Sequence, residues 1–71
     1  MRLERAINII HLIRNGRRTV TIGSLKSIKA ECSFDHFFKI QLARACSVSV
    51  ENLSLEIDLA IRKLNQDQST M

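Results

Sequence analysis

At 71 residues the chain is one small domain, and a domain of that size buries only about 60% of the surface its unfolded chain exposes. Hydrophobic residues at 45% and charged residues at 25% exclude a disordered segment, and the absence of proline, with only Gly16 and Gly23, favours helices joined by short turns. The net charge of +4 is uneven. In residues 1–30, Arg2, Arg5, Arg14, Arg17, Arg18, Lys26 and Lys29 stand against Glu4 alone, giving +6. In residues 31–71, Lys39, Arg44, Arg62 and Lys63 stand against Glu31, Asp35, Glu51, Glu56, Asp58 and Asp67, giving −2. A basic half beside an acidic half points to a polyanion on one side, or simply to solvated faces that aid solubility.

The first predicted element runs from Arg2 to Arg14, where Leu3, Ala6, Ile7, Ile10 and Ile13 recur at helical spacing. Ile9 and Leu12 widen the apolar face beyond what one packing partner needs. Asn15-Gly16 is the expected stop, because both residues tolerate the left-handed conformation that closes helices. Next comes RRTVTIG, in which Val20 and Ile22 alternate with Thr19 and Thr21. This reads either as a short strand or as an extended linker whose Arg17 and Arg18 reach phosphates, since a lone strand lacks a pairing partner unless a second copy supplies it.

Ser24 is the expected N-cap of a short helix, LKSIKAEC, with Leu25, Ile28 and Cys32 on one face. Ser33 is expected to cap the next helix, in which Phe34, Phe37, Phe38, Leu42 and Ala45 fall on a common stripe. All three aromatic residues lie here, and at this spacing core packing is a better reading than a base-stacking platform. His36 reads as an exposed or partly satisfied helix residue. The final helix opens after Ser49 with Val50, Leu53, Ile57, Ala60, Ile61 and Leu64 on one face. Leu55 and Leu59 project from the opposite side, which suggests a second interface, most simply a symmetric dimer, or else scattered surface leucines.

Cys32 and Cys46 sit in apolar-periodic contexts without a Cys-x-x-Cys pair and read as buried thiols. With His11 and His36 they match none of the usual zinc-ligand spacings, so no metal and no cofactor are expected. The N-terminal run INIIHLI lacks a following small-residue cleavage site, and no stretch approaches the ~18 apolar residues of a membrane span, so a cytoplasmic protein is expected. Gly16 and Gly23 do not form a phosphate-cradling loop and no persuasive Ser/His/Asp order occurs. No enzyme is expected.

Residues 43–53, ARACSVSVENL, carry the strongest local signal: a helix end, a turn on small residues, and a new helix capped by Ser49 with Val48 as a staple. This segment resembles the one that follows the recognition helix in Cro-type repressors, with its alanine-rich helix end and glycine-valine-serine turn. A second, gapped resemblance is to the C-terminal half of AraC-type DNA-binding domains. Arg2-Leu3-Glu4-Arg5-Ala6 is similar to their RLxxA helix start, and Ile28 with Glu31-Cys32-Ser33-Phe34 to their I-x-x-x-C-G-F turn. Phe38, Leu42, Cys46, Ser47-Val48-Ser49 and Leu53 follow at the spacing of that family's later positions. About eight extra residues lie around Asn15 to Val20 and about two are missing after Phe34, while serine replaces the turn glycine and valine the usual proline. A ribbon-helix-helix reading, with TVTI as the strand, competes with both.

The helix after Ser49 would present Glu51, Glu56 and Asp58 to phosphates, which repel carboxylates, so it is not the expected reading helix. The AraC-like register instead implies that residues 35–44 enter the groove. His36, Lys39, Gln41 and Arg44 are then the base-reading candidates, and Arg14, Arg17, Arg18, Lys26 and Lys29 the phosphate contacts. The chain is therefore expected to be all-α, or mainly α with one short strand. A compact three- to four-helix bundle of helix-turn-helix type would occupy residues 1–65, with a flexible polar tail at 66–71. The expected function is a DNA-binding transcriptional regulator of double-stranded DNA, dimeric through Ile9, Leu12, Leu55 and Leu59. The alternative is a small dimeric helical regulator that binds another protein, as an anti-activator, antitoxin or adaptor.

Overall fold

The computed structural model describes residues 2–16 and 19–69, without the side chains of 67–69. Four helices follow one another: α1 (Leu3–Arg14), α2 (Ile22–Phe34), α3 (His36–Ala45) and α4 (Val50–Ser69). No strand occurs among the described residues. The Cα radius of gyration is 11.6 Å, close to the roughly 11 Å of a compact chain this long, so the helices pack as one body. The long dimension of 39 Å follows from α4, whose 20 residues span about 30 Å.

Each junction is set by a few polar atoms. The α1 helix has no side-chain N-cap at Arg2, although Glu4 in its first turn favours the dipole. It closes as the sequence predicts, with Asn15 donating to the His11 carbonyl and Gly16 left-handed at φ 71°. The TVTI stretch is not a strand. Thr21 is extended and its Oγ1 accepts from the Ser24 N–H at 3.2 Å, so Thr21 caps α2 and the predicted cap, Ser24, lies inside it. Ile22 is already helical, and Val20 is buried in the core as the linker crosses it. Among the described residues, this stretch does not form the strand that a ribbon-helix-helix fold would need.

A single residue separates α2 from α3. Asp35 donates its N–H to the Glu31 carbonyl, ending α2, while its Oδ1 accepts from Phe37 at 3.1 Å and Phe38 at 3.2 Å, starting α3. A carboxylate at a helix N-terminus satisfies free donors and matches the dipole better than a hydroxyl two residues earlier. Ser33, the predicted cap, is instead in the last turn of α2. The shift breaks the expected aromatic stripe. Phe34 ends α2 about 200° around from Cys32 and is 91% exposed, Phe37 is 69% exposed, and only Phe38 enters the core. Ala45 is exposed as well.

The α3–α4 corner is built as the sequence indicates. Val48 N–H bonds the Ala43 carbonyl and Ser47 N–H the Arg44 carbonyl, the paired reversed bonds of a Schellman motif, with Ser47 left-handed at φ 59°. Ser49 Oγ then accepts from the Asn52 N–H at 3.1 Å to open α4. Val48 packs against the core cluster that contains Leu53, four residues into the new helix.

The core joins Ala6, Ile9 and Ile10 of α1, Leu25, Ile28 and Cys32 of α2, Phe38, Leu42 and Ala43 of α3, and Leu53 and Ile57 of α4, with Val20 and Cys46 from the linkers. Ile9, expected at an interface, belongs to this core at 7% exposure, and Leu12 is half-buried against it. The apolar width of α1 exists because α1 is covered by more than one element: it packs on both α2 and α3. The α4 helix continues to Ser69, past the predicted domain boundary at residue 65.

Candidate nucleic-acid interface

The helix expected to read DNA, α3, is held from one side by Phe38, Leu42 and Ala43 and contacts all three other helices. At 100° per residue, the face turned away from those anchors carries Phe37, Ile40, Gln41 and Arg44. Phe37, Gln41 and Arg44 are exposed and Ile40 is half-buried. His36 is exposed in the first turn beside this face.

The fourth base-reading candidate, Lys39, is on another side of the helix. It is half-buried and lines an open pocket of about 130 Å³ between α2, α3 and α4, together with Lys29, Cys32, Ser54 and Asp58. Burial pushes the Cys32 thiol above its ordinary range, and the nearby Lys39 ammonium pulls part of that shift back. Lys39 is therefore a neighbour of Cys32 rather than part of the outer face of α3.

Two predicted phosphate contacts are committed elsewhere. Arg14 forms a two-pronged pair with Glu56 of α4, Nε to Oε1 at 2.8 Å and the second prong to Oε2 at 3.1 Å. Its remaining terminal nitrogen donates to the Cys46 carbonyl at 3.0 Å. The guanidinium thus ties the end of α1 to the α3–α4 corner, and the hydrogen bond to Glu56 raises its already high pKa. Lys29 donates to Asp58 at 2.7 Å across the α2–α4 seam. Of the other phosphate candidates, Lys26 is exposed on α2, and Arg17 and Arg18 lie outside the described residues.

Two of the three acidic side chains expected to keep α4 out of a groove, Glu56 and Asp58, are the ones that hold Arg14 and Lys29. Sequence reasoning missed both pairs because their members lie 42 and 29 residues apart, and no short-range spacing signals such a contact. It could have found the Asp35 cap, since Asp35 stands two and three residues ahead of the amides it binds.

Cys32 and Cys46 are free and buried, and no group of three His, Cys, Asp or Glu side chains able to hold a metal occurs among the described residues. No helix among them is long and apolar enough to cross a membrane. Comparison with protein families, with characterised proteins and with solved structures returns no match.

Proposed function

We propose that the chain is a small DNA-binding transcriptional regulator that presents the outer face of α3 to the major groove. The observation that carries this reading is the pairing of exposed Gln41 and Arg44 on one face of a helix anchored from behind by the whole core. Gln41 suits the paired donor and acceptor of an adenine edge, and Arg44 suits guanine or a phosphate. Phe37 on the same face offers apolar contact to a thymine methyl. His36, exposed in the first turn of α3, and Lys26, exposed on α2, are further contact candidates, and Arg17 and Arg18 remain phosphate candidates in the basic half. Arg14, Lys29 and Lys39 leave the contact set for the structural reasons above.

Binding to random duplex DNA, followed by fluorescence anisotropy across a salt series, tests this. The reading expects a negative slope of log affinity against log salt, reduced by about one in Arg44→Ala if that residue meets a phosphate. Gln41→Ala should flatten sequence preference while leaving the slope unchanged. Absence of binding at low salt sinks the proposal.

The protein-binding alternative has its own supporting observation. Phe34, Leu55 and Leu59 are 91%, 61% and 54% exposed, and none of them lies on the outer face of α3. An apolar surface of that kind is more than a DNA contact requires.

A further inference from the structure

We infer that the outer stripe of α4 is a self-association surface on which a second copy of this chain packs antiparallel. Leu55 and Leu59 are one helical turn apart and project away from the core face formed by Leu53, Ile57, Ile61 and Leu64. The charges around them select the occupant. Glu56 and Asp58, which would otherwise place two carboxylates beside the leucines, are neutralised within the chain by Arg14 and Lys29. Glu51 and Arg62 are exposed and have no ion-pair partner among the described residues.

The register follows from helix geometry. Glu51 and Arg62 are eleven residues apart, which returns to within about 20° of the same direction, so both lie on one flank of the leucine stripe. An antiparallel pair apposes like flanks. With Leu55 level with Leu59 of the partner subunit, Glu51 falls within one residue, about 1.5 Å of axial rise, of the partner's Arg62. The two-fold axis repeats that pair, giving two leucine contacts bracketed by two opposite-charge pairs. The overlap covers residues 50–64, about 22 Å of helix. A parallel arrangement would appose unlike flanks, so Glu51 and Arg62 would lose each other as partners, and would align the helix dipoles; it is disfavoured on both counts.

This surface is on α4, and the inference stands independently of DNA binding by α3. Sedimentation equilibrium over a micromolar to millimolar range tests it, with circular dichroism confirming that each variant keeps its helices. The wild type is expected to dimerise, and Leu59→Ser to abolish dimerisation. Glu51→Arg and Arg62→Glu should each raise the dimer dissociation constant by about tenfold or more through like-charge apposition. The double variant E51R/R62E, in which the charges are exchanged, should return close to the wild-type value. A wild type that stays monomeric throughout, as it would if the face served a different protein, overturns the inference. So does a dimer indifferent to Leu59→Ser, or a charge exchange that fails to restore association. The salt series on DNA is read separately, so either conclusion can fail alone.

Discussion

Ser47 occupies the one left-handed non-glycine position among the described residues, φ 59° at the residue after the α3 C-cap. Its N–H and that of Val48 close the Schellman bonds to Arg44 and Ala43, so the conformation cannot relax without loss of both. An L-residue in this region is disfavoured by about 1–2 kcal/mol relative to glycine. Replacement by glycine adds freedom to the unfolded chain and returns about 0.5–1 kcal/mol of that gain. The Ser47 side chain is exposed and makes no hydrogen bond, so no contact is lost. Ser47→Gly should therefore stabilise the fold by about 0.5–1 kcal/mol, a rise of roughly 3–6 °C in Tm for a domain of this size. Urea unfolding followed at 222 nm should show a higher midpoint with an unchanged slope, and Ser47→Val, β-branched at positive φ, should fall below the wild type. A Tm for Ser47→Gly at or below wild type, with helicity retained, would refute the assignment of strain to this residue.

Arg14→Ala should lower stability by about 1 kcal/mol, a figure discounted for the solvent screening of a partly exposed pair. Arg14→Lys should recover only part of it, since an ammonium cannot hold both Glu56 oxygens and the Cys46 carbonyl together; full recovery in urea unfolding would show that charge alone matters. Phe38→Ala should cost about 3–5 kcal/mol and approach global unfolding, whereas Phe34→Ser and Phe37→Ser should change stability by less than about 0.5 kcal/mol. Equal losses at all three would mean that the aromatic stripe is buried after all. Burial raises both thiols above their unfolded value, so the folded state holds those protons more tightly. Their contribution to stability is complete below the unfolded thiol pKa and is lost as pH rises through the folded one. The urea midpoint should therefore drop at alkaline pH, and less so in Cys46→Ala. A midpoint that rises with alkaline pH would contradict this.

The helical phases of this chain were legible because each core residue recurs at the period that its own helix imposes. Leu25, Ile28 and Cys32 are buried as their spacing predicts, and Leu53 and Ile57 likewise. What was not legible is where one phase stops and the next begins. Thr21 and Ser24, or Ser33 and Asp35, are all competent caps in isolation, and the choice falls to whichever start lets the following apolar residues meet the core. Moving that choice by two residues at Asp35 turned Phe34 from an expected core residue into the most exposed large hydrophobic side chain among the described residues. Ile9 shows the converse error. A face that looks too wide for one partner is not surplus when two helices cover it.

The same distinction decides how the charge asymmetry should be read. In the sequence, a +6 half beside a −2 half suggests an external polyanion, because charges far apart along the chain look independent. Folding brings Arg14 to Glu56 and Lys29 to Asp58, so part of the asymmetry is consumed as cross-links between the first half and α4. The Arg14–Glu56 pair ties α4 to the end of α1, while the Lys29–Asp58 pair adds to an α2–α4 seam that apolar packing already forms. Any polyanion must then be met by the cations that stay exposed and unpaired among the described residues, such as Arg2, Arg5, Lys26 and Arg44, a smaller set than the sequence totals suggest. A small set predicts a shallow salt slope for one chain and roughly twice that slope for a dimer that engages both copies on one duplex. The ratio of the wild-type slope to that of a monomeric Leu59→Ser variant therefore reports whether the α4 surface and the α3 face work in the same complex. A ratio of one would assign them to separate tasks.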